Sequence, residues 1–283
     1  MVNINGRLCP ENEANVSVNN RAYNYGDGLF ETIKAVSGEL FFWEDHYFRL
    51  MASMRILRMD IPMEFTMEYL EAQIHKTLES ANLTSRAARV RLQVDRGDGG
   101  LYLPSSKSQV SYVIKVTALE SPFYYLDPNQ SCVVDIYKDF HLAVGLLSGL
   151  KSNNKALQVM GSIYANENGY DNCLVLNTNK SVVEALNGNI FLVKGDRVKT
   201  PPLADGCLRG VMRKQVLDIL YKDVNLIVTE ESISPFELQK ADELFITNVI
   251  QGIKPITKYR KKTYNSQLAF DLMKKLNLRL RLE

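Results

Sequence analysis

The sequence predicts a mixed α+β fold in two domains, and three observations carry the prediction. Strand-like and helix-like periodicities both occur, a turn-rich stretch at residues 119–130 divides the chain, and its 283 residues suit two domains of ordinary size. Hydrophobic residues make up 46% and charged residues 23%, the balance of a chain that buries a core rather than staying disordered. The formal net charge is only +2, so no global field would recruit nucleic acid or an acidic membrane, and any bound anion must be held locally.

Val2-Asn3-Ile4-Asn5-Gly6-Arg7-Leu8 places Asn-Gly between apolar flanks, the signature of a two-residue hairpin. A second strand pair is predicted at 29–36 and 40–42 around Ser37-Gly38. From Asp45 the pattern turns helical, and Met67, Leu70, Ile74, Leu78 and Ala81 recur at the spacing of one helix face. Val90, Leu92 and Val94 then alternate with Arg89, Arg91 and Gln93, and 110–117 alternates likewise, which predicts two further strands. Residues 1–118 thus form one α+β domain with a largely antiparallel sheet. Beyond the 119–130 linker, residues 131–283 form a second mixed domain. It has strands at 132–137, 173–176, 182–185, 189–193 and 243–247, and helices at 155–168, 210–221, from Pro235 and at 267–280.

Cys9, Cys132, Cys173 and Cys207 are widely spaced, with no metal-ligand pattern, and read as buried free thiols. The N-terminus lacks a signal-peptide pattern and no run approaches 18 apolar residues, so a soluble cytoplasmic protein is expected. His46, His75 and His141 share no spacing with a Ser or Cys nucleophile, and no P-loop, dinucleotide or metal motif occurs.

Several segments hold glycine or isolated charge. Gly26-Asp27-Gly28 and Arg96-Gly97-Asp98-Gly99-Gly100 each read, taken alone, as tight turns next to strands. Gly210 opens an amphipathic helix, whose first amides make an anion site if the preceding loop leaves room. Lys151 follows an apolar stretch, and Glu184 lies inside an apolar strand; taken alone, most lysines simply sit in water and the carboxylate suits the outward position of an alternating strand.

Their order is more telling. Gly26-Asp27-Gly28-Leu29-Phe30-Glu31, His46-Tyr47-Phe48-Arg49-Leu50, Gly149-Leu150-Lys151-Ser152-Asn153-Asn154, Val183-Glu184-Ala185 with Asn189-Ile190-Phe191, Gly210-Val211-Met212-Arg213 and Ala241-Asp242-Glu243-Leu244-Phe245-Ile246-Thr247-Asn248 together resemble the class-IV aminotransferases. These are fold-type IV pyridoxal-phosphate enzymes, a family of aminodeoxychorismate lyases, D-amino acid aminotransferases and branched-chain aminotransferases. The resemblance implies a D-amino acid aminotransferase-like fold with a C-terminal pseudo-barrel, the cofactor in the interdomain cleft, and a homodimer.

It also implies roles. Lys151 matches the Schiff-base lysine, Glu184 the carboxylate facing the pyridine nitrogen, and Arg49 the phosphate-binding arginine. Gly210 with the amides of Val211 and Met212 matches the helix-start phosphate cradle, with Asn189, Thr247 and Asn248 beside it. Phe30, Thr32, Arg96 and Tyr102 match segments that meet an amino-carboxylate substrate. Val249 and Ala156 depart from residues the aminotransferases carry. The 96–102 loop and Thr247-Asn248-Val249-Ile250 sit nearer the lyase pattern, so the resemblance implies an aminodeoxychorismate lyase first and an amino-acid transaminase second.

Overall fold

The computed structural model describes residues 1–106 and 109–282. The chain separates into two compact units, Met1–Pro122 with Lys151–Asn154, and Phe123–Leu150 with Lys155–Glu283. The sequence division placed residues 131–283 together, whereas the four-residue segment that begins with Lys151 belongs to the first unit.

The first unit is built on one antiparallel six-stranded sheet. Its elements are β1 (Val2–Ile4), β2 (Arg7–Cys9), α1 (Arg21–Tyr25), β3 (Gly28–Val36), β4 (Glu39–Leu40), α2 (Trp43–Ile56), α3 (Met67–Ser80), β5 (Ala87–Asp95) and β6 (Ser111–Ala118), with strand order β2-β1-β6-β5-β3-β4. Asn5-Gly6 and Ser37-Gly38 both take positive φ, the backbone a two-residue hairpin needs to match strand twist. Helix α2 packs on β3, and α3 packs on β6 and β1. Leu70, Ile74 and Leu78 of α3 are buried, as are Val90, Leu92 and Val94 of β5. Because strand side chains alternate, Glu31 and Ile33 lie on one face of β3 while Phe30, Thr32 and Lys34 lie on the other. Helix α1 has only five residues, too few for periodicity to register; the Asn20 side chain caps it by accepting from Ala22 and Tyr23 amides.

The second unit holds a ten-stranded sheet with its helices. Its elements are β7 (Val133–Ile136), α4 (Ala156–Glu167), β8 (Asn172–Leu176), β9 (Val182–Ala185), β10 (Gly188–Lys194), β11 (Arg197–Thr200), α5 (Val211–Leu220), β12 (Ile227–Glu230), α6 (Pro235–Leu238), β13 (Glu243–Asn248), β14 (Gly252–Ile256), β15 (Lys258–Tyr259), β16 (Lys262–Thr263) and α7 (Gln267–Leu282). The main path runs β12-β11-β10-β9-β8-β7-β15-β16, and β13 pairs with β10 and β14 off this path. Val134, Leu174, Val182, Ile190, Leu244 and Ile246 make up much of its core. Ser234 and Glu237 form the capping box that starts α6 at Pro235. The periodicities did not mark β11, β12 and β14 to β16, which are only two to five residues long and, β14 apart, half or more charged or polar. Lys262 on the last strand of the path suits an edge, where a charge discourages further pairing.

Cys132, Cys173 and Cys207 are buried free thiols, but Cys9 is only half-buried, because β2 is an edge strand. No helix among the described residues is long and apolar enough to cross a membrane.

Candidate active site

In the first unit, residues 151–154 lie antiparallel to the start of β3. The Phe30 amide donates to the Lys151 carbonyl and the Asn153 amide to the Gly28 carbonyl, each at 2.9 Å, and Leu29 bridges Ser152. Glycine suits position 28, since a Cβ would stand 2.5 Å from Nδ2 of the Asn153 side chain and 3.0 Å from the Val94 carbonyl oxygen. This register sets the Lys151 ammonium 4.5 Å from the centre of the Phe30 ring. The Arg91 guanidinium lies 4.0 Å from the same ring centre, so one aromatic side chain holds two cations by cation–π attraction. Arg91 faces buried Thr32 across the β3–β5 ladder. Burial and the nearby charge of Arg89 lower the pKa of Arg91 from its ordinary value. Two residues further along, buried Lys34 faces Arg89 and is pushed down to about 8 by burial. Arg91 read in the sequence as an outward polar residue of an alternating strand; its cross-strand neighbours become visible only with the register.

On the opposite face of β3, Glu31 accepts from Arg49 Nε at 2.8 Å and from Arg49 Nη2 at 2.5 Å, and His46 Nδ1 lies 2.7 Å from Glu31 Oε2. Burial would raise the Glu31 carboxyl, but the Arg49 charge and the hydrogen bonds from Arg49 and His46 outweigh it and hold it at about 2. Burial lowers the His46 pKa, and Arg49 and Lys151 add to that against Glu31, so the imidazole is neutral. Nδ1 then donates to Glu31, and Nε2 is buried with no hydrogen-bond partner.

Arg96 and Tyr102 lie on the loop between β5 and β6. Arg96 donates to Asp27 and to the carbonyls of Leu57 and Arg58, which ties its loop to the end of α2 and takes up its guanidinium. Tyr102 is exposed, its ring 5.7 Å from Tyr25 and its carbonyl accepting from Arg21. Arg21, unremarked in the sequence, also binds Asp27 and the carbonyls of Gly99 and Leu101, and so shapes the loop.

In the second unit, Glu184 of β9 and Asn189 of β10 are cross-strand partners and both are buried. Glu184 Oε2 accepts from the Leu208 amide at 3.0 Å, and Asn189 Nδ2 donates to the Leu208 carbonyl at 2.8 Å. The two side chains thereby grip both backbone polar groups of one residue and fix the turn that leads into α5. Gly210 is the N-cap of α5 and supplies no side-chain cap, so the first-turn amides, including those of Val211 and Met212, keep their anion-binding character. A Cβ at Gly210 would fall 2.0 Å from Asn189 Oδ1, so only glycine fits. Thr247 pairs with Asn189 across β13 and β10, and its Oγ1 is buried without a partner. Asn248 is engaged otherwise: its side chain accepts from the Ile250 and Gln251 amides and stabilises the turn into β14. Lys155, which the sequence reading passed over, has its pKa lowered by burial and raised in part by the Glu184 charge. No cluster of His, Cys, Asp and Glu among the described residues could hold a metal ion.

The sequence model of the amino-transferase class IV family matches residues 28–259. A protein of Methanocaldococcus jannaschii provisionally named a branched-chain-amino-acid aminotransferase is 34% identical over 274 residues, 96% of this chain and 92% of that protein. An aminodeoxychorismate lyase of Vibrio harveyi is 29% identical over 247 residues, 87% of this chain and 88% of that protein. The crystal structure of a branched-chain aminotransferase of Thermoproteus uzoniensis with norvaline has a TM-score of 0.85 at 28% identity, covering 97% of this chain and 92% of that one.

Proposed function

The chain belongs to the amino-transferase class IV family, and from that premise we propose that it is a pyridoxal-phosphate-dependent transaminase of a small amino acid, with Lys151 as the residue that holds the cofactor covalently. Enzymes of this class use pyridoxal phosphate, and when bound the cofactor supplies an electron sink for the bonds of the substrate's α-carbon.

The residues present fit that group. The partnerless Thr247 Oγ1, the uncapped α5 amides and the glycine-only position 210 are what a phosphate would use, and Thr247 supports the contact that Val249 does not offer. Arg49, which Glu31 orients, is the cation that the resemblance assigns to a phosphate. Glu184, steadied through Leu208, is the carboxylate for the pyridine nitrogen. Lys151 also moves the proton at the substrate α-carbon, and Phe30 keeps its ammonium in place.

One observation carries the substrate class: Arg91 shares the Phe30 ring with Lys151. A carboxylate held by Arg91 sets an amino acid's nitrogen toward the lysine, which favours an amino-carboxylate. The preference for the lyase rested on the 96–102 loop and on the Thr247-Asn248-Val249-Ile250 segment. With the Arg96 donors engaged by Asp27, Leu57 and Arg58, that loop offers no free guanidinium to a ring carboxylate. The transaminase therefore leads, and the Vibrio harveyi relative keeps the lyase as the second reading.

The test has two parts. Borohydride should fix pyridoxal phosphate to Lys151, and label recovered on another lysine in Lys151→Ala would overturn the assignment. A panel of L- and D-amino acids with 2-oxoglutarate or pyruvate should show amino transfer. Formation of 4-aminobenzoate and pyruvate from aminodeoxychorismate, with no transfer to any keto acid, would give the site to the lyase.

A further inference from the structure

The turn between β13 and β14 consists of Val249, Ile250 and Gln251. Valine and isoleucine give a tight turn none of the local help that Gly, Pro, Asn or Asp supplies, so its shape is imposed by groups outside it. Asn248 is one of them, accepting from the Ile250 and Gln251 amides at 3.1 and 2.9 Å. Tyr124 is the other. Its phenol donates to the Val249 carbonyl at 2.7 Å, and its ring lies so close to Gly252 that a Cβ there would stand 2.8 Å from Tyr124 Cγ. Val249 opens the turn and Gly252 opens β14, so one side chain braces the turn at both ends.

Tyr124 is itself held in place. The sequence puts it in the 119–130 linker, whereas from Phe123 onward the chain belongs to the second unit. Of Phe123, Tyr124 and Tyr125 only Tyr124 is buried, and its neighbours on both sides are exposed. The Tyr124 amide donates to Asn277 Oδ1 at 3.1 Å, and its carbonyl accepts from Asn277 Nδ2 at 2.8 Å, so α7 grips both backbone polar groups. Burial raises the pKa of the phenol, which keeps it a donor.

We propose that Tyr124 is a positioning residue for the cofactor: by holding the Val249 carbonyl it fixes the end of β13 and so aims the Thr247 hydroxyl at the phosphate. This rests on the reading of Thr247 as a phosphate contact. Thr247 pairs with Ile253 and Asn248 with Gly252, so the hydroxyl sits on the pair next to the one that the Tyr124 ring touches. Thr247 Oγ1 is buried and has no protein partner to orient it, and its aim is set by the backbone that carries it. The phenol acts on that backbone from the turn side, and Asn189 faces Thr247 from β10.

The test reads binding. The full chain is reconstituted with pyridoxal phosphate and, separately, with pyridoxal. Tyr124→Phe deletes only the hydroxyl, and it should weaken pyridoxal phosphate by about three- to tenfold, the scale of one net hydrogen bond, while pyridoxal binds as before. Tyr124→Phe/Thr247→Val should bind pyridoxal phosphate no more weakly than Thr247→Val alone, because both changes act through one contact. If Tyr124→Phe does not fold, Asn277→Ala frees the Tyr124 backbone and should show the same selective loss. A selective loss in Thr247→Val but none in Tyr124→Phe, losses that add in the double variant, or equal weakening of pyridoxal and its phosphate overturns the role of Tyr124 and leaves Thr247 in place. No selective loss in either single variant removes the phosphate contact of Thr247 and the proposal with it.

Discussion

Glu31 and Arg49 are joined by two charge-assisted hydrogen bonds, from Nε at 2.8 Å and from Nη2 at 2.5 Å, with both side chains almost wholly out of solvent. The pair joins strand β3 to helix α2 and turns the guanidinium into a fixed group. Breaking such a pair from one side leaves a charge buried without its partner. Glu31→Gln should therefore cost about 3–5 kcal/mol, and Glu31→Gln/Arg49→Met should be less destabilised than the sum of the single variants. Urea unfolding checks this, and strict additivity would show that the two groups are not coupled.

Acid should weaken the fold in two phases. His46 has its pKa lowered in the folded chain, so below about 6.5 the unfolded chain takes up a proton that the folded chain refuses, and stability starts to fall. Glu31, held at about 2, contributes in full above its ordinary 4.5 and loses that contribution as pH drops from 4.5 toward 2. His46→Gln should remove the upper phase and leave the lower one. Melting temperatures between pH 8 and pH 3 test this, and an unchanged slope near pH 6 in the variant would refute it.

Much of this was legible in the sequence where one element suffices. Leu70, Ile74 and Leu78 declared a helix face, and Val90, Leu92 and Val94 a strand face, because each pattern repeats within a few residues. Lys151, Glu184 and the Gly210 turn stood out through the order of their motifs. Arg91 did not, since alternation says which face a residue takes and not which side chain lies across the ladder. The engagement of Arg96 was hidden for a similar reason: Asp27 is 69 residues away in the chain, and a donor's partners at that distance follow only from tertiary packing.

Arg91→Met should raise the KM for the amino acid without loosening the cofactor. The guanidinium touches Phe30, and a hydrogen bond to a charged group is worth about 1.5–3 kcal/mol, or roughly 10- to 100-fold. Arg91→Lys should recover little, because the ammonium lacks the planar fork. Steady-state kinetics beside a pyridoxal-phosphate titration of the apoprotein separates the two effects. A weakened cofactor with an unchanged KM would assign Arg91 to the wrong partner.

Gly210→Ala and Thr247→Val address the phosphate directly. The added methyl of alanine must displace Asn189, which also disturbs its bond to the Leu208 carbonyl. Thr247→Val removes only an unpartnered hydroxyl and keeps the shape, so it should not destabilise the apoprotein. Both should weaken pyridoxal-phosphate binding, glycine replacement more, while pyridoxal without its phosphate should bind the Thr247→Val protein as it binds the wild type. Equal loss for pyridoxal and its phosphate would show that the hydroxyl serves another purpose.

Glu184 has two tasks that substitution can separate. Its carboxylate accepts from the Leu208 amide and so steadies the turn before α5, and its charge is what a protonated pyridine nitrogen needs. Glutamine keeps an oxygen acceptor for the Leu208 amide but gives up the charge; alanine gives up both. Glu184→Gln should therefore hold pyridoxal phosphate nearly as well as the wild type yet lose about 10²- to 10³-fold in kcat, the scale of removing one preorganised electrostatic contact. Glu184→Ala should lose cofactor affinity as well, because the turn that presents the Val211 and Met212 amides is no longer gripped from the β9 side, leaving Asn189 to hold Leu208 alone. The measurements are apoprotein titration with pyridoxal phosphate and single-turnover rates at saturating cofactor. Glutamine and alanine variants with the same rate and the same affinity would mean that the carboxylate acts only through Leu208, and that its charge contributes nothing to the chemistry.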